Sequence, residues 1–201
     1  MSNIATLKSN AIIAFYLEFI APFKQMPRAG WAKYWGVPSD KAESVAEHVF
    51  AVVFLAQFVN VEYNLALDTG KILELAIVHE LDELIVGDIP ARDTKAVQEK
   101  QKQKAQIRKA LEDKLNGFKS KGYFLSLFDE LEQGASKEAV FVKEVDKIEF
   151  VLQALVYCNQ QIGDPSQICS GERIVEKTEP HISLQPLKEL VAKIKQLNIK
   201  N

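Results

Sequence analysis

Leu75-Ala76-Ile77-Val78-His79-Glu80-Leu81-Asp82-Glu83-Leu84-Ile85-Val86-Gly87-Asp88-Ile89-Pro90 sets acids and a histidine among aliphatic side chains. The apolar spacing predicts a helix that opens at Asp68-Thr69, where Asp68 is an N-cap, and runs to about Val86. Gly87 stops it and Asp88-Ile89-Pro90 turns the chain. On such a helix His79 and Glu83 share a face at i, i+4, and Glu80 adjoins Glu83. His79 and Glu80 diverge by about 100°, so a metal over the groove between them takes both only if the side chains lean inward.

Helical periodicity continues on both sides. Upstream, Glu43 to Asn60 reads as a strongly apolar, central helix. Before it, Ile12, Phe15, Tyr16, Phe19, Ile20 and Phe23 form one stripe that Pro22 is expected to end. Met26 to Lys41, with its prolines, glycines and Trp31, Tyr34 and Trp35, reads as a structured loop. Downstream, Asp93 to Leu115 reads as one polar helix, solvated or a lid. Phe124 to Leu131 reads as a short helix. Ser136 caps a long helix to about Ile162, and a last helix spans about Leu184 to Leu197. No segment alternates like a strand, and no repeat is visible. The expectation is an all-α fold of about six or seven helices. It forms one domain over 1–201, with a core at about 5–162 and a C-terminal loop and helix at about 163–201.

The length of 201 residues fits one domain with a substantial core. A net charge of -2 excludes a global basic bias toward nucleic acid. No apolar run approaches the ~20 residues of a membrane span, and the start lacks a signal-peptide pattern, so the expected setting is cytoplasmic. Cys158 and Cys169 are then expected to be free thiols. Of the 25 basic residues only Arg28, Arg92, Arg108 and Arg173 are arginines. Phe124, Leu125, Leu127 and Phe128 suit either core or an interface, core being the commoner use of such a stripe.

The candidate chemistry lies in acids and histidines set inside apolar helices, where they require partners or a metal. His48 follows Glu43 and Glu47. His79 opens the acidic string. Asp146 sits mid-helix among Val142, Val145, Ile148, Val151 and Leu152, a poor place for Asp, where it either lies on a solvated face, pairs with Lys143 or Lys147, or ligates a metal. His48, His79, Glu80 and Asp146 therefore form a candidate set of imidazoles and carboxylates suited to Mn, Fe, Co, Ni or Zn. A zinc protease is disfavoured, because the second histidine of His-Glu-x-x-His is replaced by Glu83. His181 is assigned no role.

Arg28-Ala29-Gly30-Trp31, Glu43-Ser44-Val45-Ala46-Glu47-His48, Leu75 to Pro90 and Asp146-Lys147-Ile148-Glu149 occur in this order. They resemble the HD-domain superfamily of metal-dependent phosphohydrolases, in particular its small 5'-deoxynucleotidase branch. The resemblance implies that His48, His79, Glu80 and Asp146 hold a divalent ion (Mn, Co, Fe, Ni, Zn or Mg). It implies that Glu83 handles the proton of the attacking water or of the leaving 5'-oxygen. Arg28 would clamp phosphate. Trp31 would line the nucleotide pocket, and Asp88 would bind the sugar 3'-hydroxyl. The implied substrate is a deoxyribonucleoside 5'-monophosphate and the implied assembly a homodimer. The sequence departs from the branch in one ligand, His79-Glu80 standing for His-Asp. The extra methylene displaces that carboxylate by about 1 Å or more, a scale to which sites are sensitive. Other nucleotide phosphoesterases, and a domain that binds nucleotide or partner without turnover, are the alternative functions.

Overall fold

The computed structural model describes residues 10–197. Among them regular structure is helical, apart from one antiparallel bridge between Pro27 and Ser44. Helices α1 (Ala11–Phe15) and α2 (Ala21–Gln25) are joined by a π-helical segment, Tyr16–Ile20. Then follow α3 (Ala29–Trp35), α4 (Val45–Glu62), α5 (Thr69–Val78), α6 (Glu83–Val86), α7 (Thr94–Lys102) and α8 (Lys104–Lys114). After these come α9 (Lys121–Gln133), α10 (Lys137–Asn159), α11 (Pro165–Ile168), α12 (Gly171–Val175), a 3-10 turn Glu179–His181 and α13 (Gln185–Lys195).

The all-α expectation holds, in more and shorter pieces than six or seven helices. Proline explains the first difference. Pro22 does not end the apolar stripe. Its ring conflicts with the carbonyl four residues back, and the widened π turn just before it lets the helix continue to Gln25. The expected loop after it contains α3, flanked by Arg28 at its N-cap and by Gly36, with φ 67°, at its C-cap. Its driving force is burial: Trp31 and Trp35 enter the core, and Trp31 stacks on Phe150 at 4.7 Å. The polar helix expected over Asp93–Leu115 divides at Gln103 into α7 and α8.

α4, α5 and α10 pack together around the fully buried Val52, Ala56, Ile72, Leu75, Val142, Val145 and Ile148. α4 starts at a capping box, with the Ser44 and Glu47 side chains each reaching the other's backbone N–H. The expectation that no apolar run approaches a membrane span is corrected by α4, which by length and composition is apolar enough to cross a membrane. One face of it, His48, Val52, Ala56 and Val59, is buried in the core, while Phe50, Phe54, Phe58 and Val61 are exposed. Leu125, Leu127 and Phe128 of α9 are core residues rather than an interface.

Cys158 and Cys169 form a disulfide, which corrects the expectation of free thiols. The turn after α10 brings the chain back so that the two Cα atoms are 5.2 Å apart, within bridging range. The bond ties α10 to the C-terminal segment.

Candidate metal centre and cavity

The capping box fixes the first turn of α4 and so directs His48 inward, where it is fully buried. Asp146 and Glu149 lie three residues apart on α10, on one helix face. They take the two edges of the His48 ring: Glu149 Oε2 is 2.6 Å from Nδ1 and Asp146 Oδ1 is 3.1 Å from Nε2. Asp146 therefore pairs with His48, and neither Lys143 nor Lys147 lies within ion-pair distance of it among the described residues.

His79 arrives differently from the sequence expectation. α5 ends at Val78, so His79 and Glu83 do not share one continuous helix. The chain tightens there through i to i+3 bonds, from Leu81 N–H to Val78 and from Glu83 N–H to Glu80. His79 Nδ1–H donates to the Ala76 carbonyl at 2.7 Å and so occupies one of the carbonyls a helix end leaves open. This turn brings Glu80 to the histidines and sends Asp82 and Glu83 toward α7. There Lys100 Nζ lies 2.6 Å from Asp82 and 3.3 Å from Glu83.

The tautomers follow from these partners. A backbone carbonyl and a carboxylate accept at Nδ1, so an imidazole that gives Nε2 to a metal keeps its hydrogen on Nδ1. Both Nε2 lone pairs then face one point, 3.2 Å apart. Glu80 Oε1 lies 3.4 Å from His48 Nε2 and 3.8 Å from His79 Nε2. One donor atom from each of His48, His79, Glu80 and Asp146 lies within 4.8 Å of all the others. Converging lone pairs and carboxylates repel unless a cation sits among them, so the donor set fits a divalent metal. Outward Nδ1 bonds to a carboxylate and a carbonyl are how ligating histidines are held. The longer Glu80 still delivers its oxygen to the cluster.

Electrostatics agree. Burial and Arg28 push the His48 imidazole down, but hydrogen bonds to Asp146, Glu149 and Glu80 outweigh them and hold it well above its ordinary value. Burial raises Glu80, yet Arg28 and His48 bring it down to about 2. Burial likewise opposes ionisation of Asp146, but His48 keeps it ionised far below the usual carboxylate range. Without a metal the cluster thus retains a proton at the place a cation would take.

Arg28 is held by the bridge between Pro27 and Ser44, its N–H donating to the Glu43 carbonyl at 2.9 Å. Its Nη1 donates to Glu80 Oε1, and its Nε faces Asp88 Oδ1 at 3.6 Å. Burial works against its charge, and the surrounding Glu80, Asp88, Asp146 and Glu43 more than compensate. Asp88 follows Gly87, whose φ of 75° lets the chain turn back, and it accepts the Ala29 N–H at 2.7 Å. Trp31 is almost wholly buried and donates through Nε1 to Glu43 Oε1 at 2.9 Å. Burial and the Glu149 charge raise Glu43 to about 7. Burial and the Glu80 charge raise Glu83 to about 8, against the pull of Lys100. Glu83 Oε2 is buried without a hydrogen-bond partner.

A cavity of about 880 Å3 adjoins the cluster. Arg28, Trp31, Glu80, Glu83, Asp88 and Asp146 line it, so each proposed site residue except His48 and His79 contributes a wall. Sequence reasoning missed four contributors. Glu149 and Glu43, which brace His48 and Trp31, were visible as acids beside candidate ligands. Lys100 gave no signal within its polar helix. The C-terminal wall of Ile174, Lys177, Thr178 and His181 gave none either, and it places His181, to which no role was given, at the cavity.

A sequence model of the HD domain family matches residues 20–182. The chain belongs to the HD domain family. Its relatives include the 5'-deoxynucleotidase HDDC2 of Xenopus laevis, 34% identical over 143 residues, which are 71% of this chain and 67% of the relative. The 5'-deoxynucleotidase hdd1 of Schizosaccharomyces pombe is 31% identical over 174 residues, 84% of each chain. A conserved hypothetical protein from Pyrococcus furiosus has a similar structure, with a TM-score of 0.63 and 26% identity over 92% of this HD domain chain and 99% of that one.

Proposed function

We propose that this HD domain protein is a metal-dependent phosphohydrolase that converts deoxyribonucleoside 5'-monophosphates to deoxynucleoside and phosphate. The observation that carries the reading is the convergence of four ligand atoms from His48, His79, Glu80 and Asp146 beside a cavity that also holds Arg28 and Glu83. The named activity of the relatives supplies the substrate class. A divalent ion held by those four residues supplies Lewis-acid polarisation of a phosphoryl oxygen and a lowered pKa for the attacking water.

The chain's own groups do the rest. Arg28 has committed Nη1 to Glu80 and turned Nε to Asp88, which leaves the Nη2 donors for a phosphate oxygen. Glu83, which burial and the Glu80 charge raise to about 8 in the metal-free protein, is placed to deliver a proton to the 5'-oxygen as the bond from phosphorus to that oxygen breaks. Asp88 fixes Arg28 and the start of α3, and its carboxylate accepts from the sugar 3'-hydroxyl. Trp31, backed by Glu43 and Phe150, forms the rigid wall against which the nucleotide lies.

Under this reading the protein works as a homodimer. The exposed face of α4, Phe50, Phe54, Phe58 and Val61, carries no charge between Glu47 and Glu62, so a second copy meets it without like-charge repulsion.

Phosphate release from matched deoxy and ribo 5'-monophosphates, with 3'-monophosphates as controls, tests the function. Metal-dependent release from the deoxy 5'-monophosphates is expected. Silence from folded, metal-loaded protein across the panel overturns it.

A further inference from the structure

A second cavity, of about 280 Å3, lies against the same cluster. His79, Glu80 and Asp146 line it, together with Glu132 of α9 and Lys143 and Lys147 of α10. Glu80, Asp146, Glu132 and Lys147 also line the large cavity, so the candidate ligands stand between two chambers.

The two lysines differ from the other cations nearby. Lys100 is matched by Asp82 and Glu83, Lys104 by Glu132 and Arg28 by Glu80. Lys147 Nζ donates only to the Lys143 carbonyl, at 2.9 Å, and Lys143 Nζ only to the Glu132 carbonyl, at 3.2 Å. Neither has a carboxylate within ion-pair distance among the described residues. An ammonium has three N–H donors, so each lysine has donors to spare. The pair is half-buried, and like charges one helical turn apart repel. Burial, with help from Lys104 and Lys147, holds Lys143 below its ordinary range despite Glu132.

Charge and size name the ligand class. A divalent ion on the four ligands offsets Glu80 and Asp146, Arg28 keeps Asp88 at 3.6 Å as its counter-charge, and Lys104 offsets Glu132. Two positive charges then remain unmatched, which suits a doubly charged oxyanion. The volume of 280 Å3 lies just below the range of pockets that hold drug-sized ligands, ~300–1,000 Å3, but is ample for a tetrahedral ion with waters.

We propose that the Lys143–Lys147 chamber binds inorganic phosphate, as the seat of the product oxyanion. The origin of that phosphate rests on the hydrolytic reading, whereas the site itself stands on the two lysines. In the reaction a water oxygen bonds to phosphorus, the bond to the 5'-oxygen breaks, and the proton passes to that oxygen. Phosphate then has a chamber beside the cluster that the nucleoside in the large cavity does not fill, so its release does not wait for the nucleoside.

The test is calorimetric titration of inorganic phosphate into the manganese-loaded full chain without nucleotide. Wild type is compared with Lys143→Met and with the double variant Lys143→Met/Lys147→Met, metal content being measured in each. Methionine keeps the apolar stem of lysine while removing its charge. The expected result is a loss of phosphate affinity of about tenfold or more in the double variant and a smaller loss in Lys143→Met, with metal retained. Phosphate affinities unchanged in the metal-replete variants overturn the proposal, as does a wild type that binds no phosphate. If the double variant fails to fold or loses metal, Lys143→Met alone decides on the same criterion. A protein that binds phosphate through these lysines but cleaves no nucleotide upholds the site and refutes the hydrolytic reading.

Discussion

Replacing Glu83 with Gln should change how the stability of the metal-stripped protein depends on pH. Glu83 is raised from 4.5 to about 8, by burial first and by Glu80 second. A group whose folded value is raised contributes stability that is fully present below its unfolded value and is lost as pH climbs through the folded one. Between pH 4.5 and about 8 the stripped wild type should therefore lose about 3–5 kcal/mol through Glu83, at ~1.4 kcal/mol per tenfold in proton affinity. Gln cannot ionise, keeps the shape, and leaves Lys100 its partner Asp82 at 2.6 Å. The variant should match wild type near pH 5 and exceed it near pH 8.5. The gain in melting temperature should be about 10 °C, at ~2–4 °C per kcal/mol for a chain of this size. Scanning calorimetry of both proteins at the two pH values measures it. The comparison cancels His48, which is raised in the same direction. Parallel pH profiles for wild type and Glu83→Gln would refute the assignment of a proton to Glu83.

Glu149→Gln weakens the acceptor on His48 Nδ1 and should lower metal affinity about 10–100-fold with little loss of fold, read by metal titration. Glu80→Asp withdraws the oxygen that reaches both histidines and Arg28 by about one C–C bond length, ~1.5 Å. It should weaken the metal and lower kcat together, and a gain in both would mean that Glu80 is a poor ligand. Reducing Cys158–Cys169, which closes a loop with a sequence separation of 11, should cost about 3 kcal/mol and lower the melting temperature by about 5–10 °C. Phe54→Glu places a charge in the exposed α4 stripe and should yield monomers by light scattering at unchanged helix content.

The residues that assemble the candidate centre were legible because each breaks a local rule. An Asp in the middle of α10 and histidines among aliphatic residues are costly in an apolar helix, so their presence signals a partner. The helical class was legible from the 3.6-residue period. What escaped depends on contacts distant in sequence. The break at Val78 is stabilised by the His79 side chain on Ala76 and by Glu80 reaching Arg28, 52 positions away, while the local period continues smoothly through it. The helix α3 is hidden by Gly30, Gly36 and flanking prolines, and it forms because Trp31 and Trp35 have a core to enter. Cys158 and Cys169 meet only because a turn reverses the chain after α10. The C-terminal wall carries no motif at all, so its place at the cavity follows from packing alone.

The central claim is that His48, His79, Glu80 and Asp146 hold the ion on which phosphate release depends. Titrating the stripped protein with manganese, while following bound metal and release from a deoxyribonucleoside 5'-monophosphate together, tests it most directly. The account predicts that activity rises with metal occupancy to saturation at about one ion per chain, and that Asp146→Asn loses both. Full activity in the stripped protein, or in Asp146→Asn without bound metal, would contradict it.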